Sequence, residues 1–306
     1  MPGEFMRYLV TGGAGFIGEN LVRYLLDNGH DVTVIDNLST SIGESITKLP
    51  CSFIYGDISN NWTLTKLIPR IGNIDCIFHL AALPRVQVSI DEPIRSNTNN
   101  VTGTLNVLEL ARKLGNVPVV YASSSSVYGD IPELPWNETM IPKPMSPYAL
   151  QKLIGEQYCK LYSELYGLST ICLRFFNVYG DGINDKPASP YNLVLSIFKT
   201  QCDQGEALTI TGDGEQKRDF TWVGDIINGL MKASVGTGHG EHINLGSGVN
   251  YSVNEIAAMF SSHTRYISPR IEVRESLANI EKAKSLLNWE PTMELREWIQ
   301  RYKTQI

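Results

Sequence analysis

No apolar run in the 306 residues approaches the roughly 18 needed to cross a bilayer as a helix, so no membrane partner is expected. Positive charge is not in surplus either: 26 Lys and Arg stand against 32 Asp and Glu, a formal net charge of −6. That balance disfavours a broad grip on nucleic acid, though a few clustered arginines can still hold a small anion. Cysteines are few, and Cys51, Cys76, Cys159, Cys172 and Cys202 are odd in number, scattered and never spaced CxxC. Neither a disulfide framework nor a metal site is therefore expected, but reduced thiols in a cytoplasmic protein are. No internal repeat occurs, and the low-complexity runs are short, Asn97 to Asn100 and Ser123 to Ser126. The N-terminus lacks a long apolar signal region, and Met1 to Phe5 read as a leader ahead of a second possible start at Met6. With 42% hydrophobic and 19% charged residues, a chain of this length can bury a sizeable core without staples.

From Arg7 onward, short β-branched runs alternate with amphipathic helical stretches, the pattern of a parallel sheet covered on both faces. Strands are expected at Tyr8 to Val10, Asp31 to Ile35, Ser52 to Tyr55, Cys76 to Leu80, Val117 to Ser123 and Ser169 to Phe175. Ile17, Leu21, Tyr24 and Leu25 form one helical stripe stopped by Gly29. Val101, Leu105, Leu108 and Ala111 form a second, and Tyr148, Ile154, Tyr158 and Tyr162 a third. Beyond Phe175 the regularity weakens into a Gly/Asp/Pro-rich stretch, Tyr179 to Pro190, then a helix near Asn192 to Gln204 and a strand near Leu208 to Thr211. Asp219 to Val235 and His242 to Leu245 again read as helix and buried strand. The expected fold is α/β, a Rossmann-type doubly wound parallel sheet with a smaller α/β substrate-binding lobe. Residues 6–176 and 220–245 would form the cofactor lobe, and 177–219 and 246–306 the smaller one.

Directly after the first strand comes Thr11-Gly12-Gly13-Ala14-Gly15-Phe16-Ile17-Gly18, which opens a helix. Gly12 permits the tight turn, Gly15 lets a pyrophosphate approach the backbone, and Gly18 lets helix and strand pack closely. The helix start around Phe16 and Ile17 offers N–H donors and a positive partial charge. An ordinary glycine-rich turn would not need strand, loop and helix in this order, so dinucleotide binding is the reading. Asp36 ends the second strand 18 residues beyond Gly18, where a carboxylate can accept both hydroxyls of an adenine ribose. Asn37 and Leu38 follow it rather than Arg or Lys, which favours NAD over NADP.

Tyr148 and Lys152 put a phenol and an ammonium at i and i+4 on one helix face, with Pro147 suited to the first turn. A free tyrosine ionises near pH 10 and is a poor base at neutrality, but Lys152 and a nicotinamide cation would favour its phenolate. Ser124, Ser125 and Ser126 supply hydroxyls at the carboxyl end of a parallel strand, where such sheets bind ligands. A YxxxK pair or a serine-rich turn alone carries little, but both together with the glycine loop point to catalysis.

Taken together these motifs resemble the extended short-chain dehydrogenases/reductases, and within them the nucleotide-sugar 4-epimerases related to UDP-glucose 4-epimerase. The resemblance runs from Met6 over nearly the whole chain. It is carried by TGGAGFIG, Asp36-Asn37-Leu38, Gly56-Asp57-Ile58, His79-Leu80-Ala81-Ala82, Asn99-Asn100-Val101, Ser124 with Val127-Tyr128-Gly129, Tyr148 with Lys152, Leu173 to Asn177, Gly212-Asp213-Gly214, Arg218-Asp219-Phe220 and Trp289-Glu290-Pro291. It implies that Asp57 and Ile58 hold adenine, that Leu80, Ala81, Asn99 and Phe176 line the rest of an NAD site, and that Asn177, Asn192, Arg218 and Arg270 bind the nucleotide diphosphate. It also implies a homodimer through the helices of Val101 to Ala111 and Tyr148 to Tyr162.

The implied reaction is a redox-neutral epimerisation at C4 of a UDP-hexose through a 4-keto intermediate. Tyr148 would take the O4 proton, Ser124 would share the hydrogen bond, and Lys152 would hold the nicotinamide ribose. A 4,6-dehydratase would need an Asp/Glu pair where Ser125-Ser126 stand. A uronic-acid epimerase or decarboxylase stays open, and a non-catalytic NAD sensor would usually lack the Tyr/Lys pair. By the resemblance Ser276, just before Ala278-Asn279, is the gate that admits a 2-N-acetyl group, although Pro84-Arg85 replaces the small pair of N-acetyl-restricted enzymes. UDP-glucose and UDP-galactose together with UDP-N-acetylhexosamines are therefore the expected substrates. Val223-Gly224-Asp225 has no functional reading.

Overall fold

The computed structural model describes residues 5–41, 43, 45–60, 66, 68–69, 71–180, 194–236, 238–269 and 272–304. Its strands are β1 (Arg7–Thr11), β2 (Asp31–Asp36), β3 (Ser52–Tyr55), β4 (Cys76–His79), β5 (Val119–Ser124), β6 (Thr170–Phe175), β7 (Val178–Tyr179), β8 (Leu208–Thr211), β9 (Lys217–Asp219), β10 (Thr221–Trp222), β11 (His239–Leu245), β12 (Asn250–Ser252) and β13 (Thr264–Ile267). The helices used below are α1 (Phe16–Asp27), α2 (Val86–Asp91), α3 (Pro93–Asn97), α4 (Gly103–Lys113), α5 (Pro147–Tyr166), α6 (Val194–Asp203) and α7 (Val223–Ser234).

Seven strands form one parallel sheet in the order β11-β6-β5-β4-β1-β2-β3, flanked by helices in the Rossmann manner. Chain direction across the sheet reverses between β1 and β4, the switch point whose carboxyl edge is where such sheets hold ligands. The strands expected up to Phe175 and at Leu208 to Thr211 are present with ends moved by at most two residues, and β11 starts three residues earlier than expected. β7, β9, β12 and β13 have no counterpart in the sequence pattern, and β10 lies inside the stretch read as helix from Asp219. Helix α1 departs in detail: Gly18, Leu21, Val22 and Leu25 are its buried set, while Tyr24 is 40% exposed. Spacing of 3, 4 and 7 residues places Val22, rather than Tyr24, on the sheet side. Val101 lies in a π-helical turn, Thr98–Thr102, that precedes α4.

The chain divides into two compact units: residues 1–127, 144–174 and 227–243, and residues 128–143, 175–226 and 244–306. The division assigns 128–143, 175–176, 220–226 and 244–245 to the second unit, whereas the sequence pattern groups them with the cofactor lobe. Buried Trp136 explains the first difference, donating its indole N–H to the Ile131 carbonyl and pairing its backbone with Leu277 and Asn279. Asp225 explains that at 220–226: its carboxylate accepts from Thr292 Oγ1 and the Met293 N–H, and its carbonyl from Trp289 Nε1.

In the first unit the core is packed by Leu9, Ile77, Val107, Leu108, Val119 and Leu168 among others. The second has its own core, with Phe198, Ile210, Phe260, Leu295 and Trp298. Among the described residues no helix is long and apolar enough to cross a membrane.

Candidate active site

The glycine loop leaves the carboxyl end of β1. Gly12 has φ +75°, and its N–H donates to the Ile35 carbonyl at 2.9 Å, tying the turn to β2. A Cβ on Gly12 would fall 2.6 Å from the Ala81 nitrogen, and one on Gly18 would fall 2.1 Å from the Gly12 carbonyl oxygen. At Gly15 a Cβ would meet only the Gly12 oxygen, at 3.3 Å, and no side chain caps α1 there. The loop is thus a cradle emptied of side chains at a helix N-terminus, which fits a dinucleotide pyrophosphate held near Phe16, Ile17 and Gly18.

Asp36 Oδ2 accepts the Ala14 N–H at 3.0 Å and its Oδ1 the Leu38 N–H at 2.7 Å, so its carboxylate is held where loop and second strand end meet. Asn37 donates to Asp57 Oδ2 at 3.0 Å, and Asp57 also accepts the N–H and hydroxyl of Ser59. Burial alone would raise the Asp57 carboxyl, but these donors bring it below its ordinary value. Ile58 is buried against Gly103. Leu80 and Ala81 lie at the end of β4, their N–H groups donating to the Thr11 carbonyl and Thr11 Oγ1. Asn99 is half-buried and donates to the Arg95 carbonyl at 3.0 Å. Phe176 belongs to the second unit, and its fully buried ring packs with Tyr128 and Trp136.

Helix α5 begins with Ser146 as N-cap, accepting the Ala149 N–H at 3.1 Å, and Pro147 at its first position. This start places Tyr148, 9% exposed, with its backbone N–H on Ser89 Oγ. Ser124, at the end of β5, neighbours the phenol and acts to lower it. Ser124 Oγ accepts both the N–H of Ser126 (3.2 Å) and its hydroxyl (2.9 Å), which leaves the Ser124 proton to be donated to Tyr148. Ser125, half-buried, opens the 3-10 turn that follows.

Lys152 is 4% exposed, donates to the Ala122 carbonyl at 2.7 Å, and lies 4.9 Å from the Tyr121 ring centre and 6.0 Å from that of Tyr148. Burial pulls its ammonium down to about 8. Burial likewise pushes the Tyr148 phenol above its ordinary value, opposed by Ser124 and the positive charge of Arg85. The protein by itself therefore does not lower the phenol as the Tyr/Lys spacing suggests. Desolvation outweighs the nearby charges, and Arg85, which sequence reasoning treated only as a specificity residue, is a second cation that acts on Tyr148.

In the second unit, Asn177 Nδ2 donates to the Asp219 carbonyl at 2.9 Å. Arg218 forms a 2.6 Å ion pair with Glu272 and also donates to the Lys217 carbonyl. Ser276 is buried, and its hydroxyl has no hydrogen-bond partner among the described residues. Asp219, which the sequence reading left without a role, is fully buried and pushed up to about 6 by that burial. It accepts four hydrogen bonds, from the Ser247 N–H and hydroxyl and from the N–H groups of Gly248 and Ala278. An acidic residue between Arg218 and buried Phe220 is the one sequence signal for it. Asn192 and Arg270 lie outside the described residues.

Residues 8–246 match the model of the NAD dependent epimerase/dehydratase family. The chain belongs to that family. NAD is the family's cofactor, and the glycine cradle and Asp36 fit it. Similar proteins span several UDP-sugars. A UDP-glucose 4-epimerase of Mycolicibacterium smegmatis is 36% identical, the match covering 96% of each chain. A UDP-glucuronate 4-epimerase of Thermodesulfobacterium geofontis is also 36% identical, over 96% of this chain and 94% of the relative. The solved UDP-N-acetylglucosamine 4-epimerase of Methanobrevibacter ruminantium M1, in complex with UDP-N-acetylmuramic acid, superposes with a TM-score of 0.87 at 32% identity, covering 99% of this chain and all of that one.

Proposed function

We propose that the protein is a UDP-hexose 4-epimerase, acting with NAD on UDP-glucose and UDP-galactose and on their 2-N-acetyl counterparts. The observation that carries this reading is the set of half-buried Ser124 with buried Tyr148 and Lys152 in the same unit as the glycine cradle, in a chain of this family. NAD, when bound, accepts a hydride from C4 of the sugar and returns it, with no net consumption of cofactor. Gly12, Gly15 and the start of α1 would hold its pyrophosphate and Asp36 its adenine ribose. Asn37, Asp57 and Ile58 are assigned to the adenine end, Leu80, Ala81 and Asn99 to the remainder, and Lys152 to the nicotinamide ribose.

The proton is the task of the chain's own side chains. Tyr148 Oη takes the proton of the 4-hydroxyl and gives it back, while the Ser124 hydroxyl shares that hydrogen bond. The Lys152 ammonium favours the phenolate during this exchange. Arg218 and Asn177 are assigned to the diphosphate, and a guanidinium that already pairs with the Glu272 carboxylate has the fork such an anion needs. Asn192 and Arg270 join them on the family resemblance alone. Exposed Ile94 (84%), Leu150 (48%) and Leu165 (62%) support a homodimer through this helical face, which a solution mass of one 34.1 kDa chain would overturn.

A dehydratase is disfavoured because Ser126, where that chemistry wants an acid, spends its hydroxyl on Ser124. Uronic-acid epimerisation is the second reading, supported by the glucuronate-specific relative. Parallel assays on UDP-glucose, UDP-galactose, both N-acetyl counterparts and UDP-glucuronate decide between them. Interconversion of the neutral sugars without NADH release is expected; turnover confined to UDP-glucuronate selects the second reading, and silence on all five overturns both.

The buried, unpartnered Ser276 hydroxyl supports its assignment as the gate, since leaving such a group unpaired costs about 1–3 kcal/mol unless a ligand satisfies it. Ser276→Tyr should lower kcat/KM for UDP-N-acetylglucosamine by about 10–200-fold relative to UDP-glucose, the range one pocket change commands. An unchanged ratio would remove Ser276 from the gate.

A further inference from the structure

Helix α5 grips the end of β5 at three consecutive strand residues. Lys152 donates to the Ala122 carbonyl, Glu156 accepts the Ser123 hydroxyl at 2.5 Å, and Tyr148 neighbours Ser124, which acts on its phenol. The three helix residues stand at i, i+4 and i+8, hence on one face. Between them Gly155 leaves room for Tyr121, whose hydroxyl would lie 2.3 Å from a Cβ there. Glu156 is itself fixed. Arg174 on β6 donates Nε to its Oε1 at 2.8 Å and Nη2 to its Oε2 at 2.6 Å, and the two residues are 3% and 1% exposed. Such a pair costs desolvation that its attraction only partly returns, so it is weak evidence of stability and needs another reason to exist.

We propose that Glu156 is a positioning residue for the epimerase reaction: anchored by Arg174, it holds Ser123, and through it Ser124, in register with Tyr148 and keeps a negative charge next to Lys152. The proposal rests on the functional reading above. The charged and titratable groups around Lys152 are Tyr148, Glu156 and Cys159 on α5, Tyr121 on β5, Cys172 on β6 and His79 on β4. Glu156 is a carboxylate in this set, and it acts to keep the buried ammonium charged.

Three variants test it in the NAD-loaded full chain. Glu156→Gln should lower kcat/KM about tenfold or more, as small misplacements of reacting groups do, and should move the alkaline limb of the pH profile to lower pH. Because this variant strands the Arg174 charge, Glu156→Gln with Arg174→Met removes the whole pair. Its melting temperature should return toward wild type while activity and the displaced limb do not. Recovery of wild-type activity and pH profile in the double variant would show that Glu156 only balances Arg174 and would overturn the proposal.

Ser123→Ala leaves the pair intact. It should lower kcat several-fold at nearly constant KM and speed deuterium exchange across residues 119–128 in the cofactor-free protein. Wild-type values in both measurements would also overturn the proposal. Wild-type silence on every UDP-sugar would instead sink the functional reading, while the exchange measurement still decides whether the grip exists.

Discussion

Tyr148→Phe is expected to lower kcat for 4-epimerisation by about 10²- to 10⁴-fold, the usual worth of one positioned acid–base group, while bound NAD stays at the wild-type level. The ring occupies the same buried space in both proteins, so the fold should be little affected. The pH dependence carries the same argument further. Burial raises the phenol, so it is protonated at neutrality and must ionise to accept the sugar proton; kcat/KM should therefore climb with pH. Lys152, pulled down to about 8, loses its cation as pH rises through that value, so the climb should level off there and give way to a fall only once the phenol too has ionised. Arg85 lowers the phenol, so Arg85→Gln should move the rising limb to higher pH. Near-normal turnover by Tyr148→Phe would remove Tyr148 from its assigned role, and an unmoved limb in Arg85→Gln would remove the cation from the account.

How far the chain could be read beforehand follows from the distance over which each signal acts. The glycine loop, its neighbouring strand and helix, and the Tyr148/Lys152 face are local patterns, and their geometry follows from periods of 2 and 3.6 residues. What the sequence could not yield depends on partners far along the chain. Arg85 acts on Tyr148 from 63 residues away, and Glu156 meets Ser123 at a separation of 33. Desolvation is likewise invisible to spacing, and it reverses the expected direction for the phenol. The Val223-Gly224-Asp225 stretch shows the same limit. Asp225 binds Thr292 and Met293, and a Cβ on Gly224 would fall 2.3 Å from the Trp222 ring, so that segment is explained by packing within the second unit rather than by chemistry.

Gly18→Ala sets two effects of opposite sign against each other. Helix propensity favours Ala over Gly by up to about 1 kcal/mol within α1. The new methyl, however, would lie 2.1 Å from the Gly12 carbonyl oxygen and 2.7 Å from Gly13 Cα, and both obstacles are backbone. Gly12 cannot yield easily, because its N–H is bonded to Ile35 and its oxygen accepts the Gly15 N–H. Overpacking of this kind costs about 1–3 kcal/mol, so the collision outweighs the propensity, and the loop must shift away from α1. The shift displaces the same backbone that would hold the pyrophosphate, and NAD affinity should fall tenfold or more for each roughly 1.4 kcal/mol of lost contact. Gly29→Ala is the matching control. Gly29, unlike Gly18, has a left-handed φ, +79°, but nothing lies within 4 Å of its Cβ position. That variant should lose about 1–2 kcal/mol of stability through backbone strain alone and retain its NAD. Calorimetric melting together with the NAD content of the purified proteins separates the two. Equal NAD retention in both variants would mean that the close approach of Gly18 to Gly12 is not what shapes the cofactor cradle.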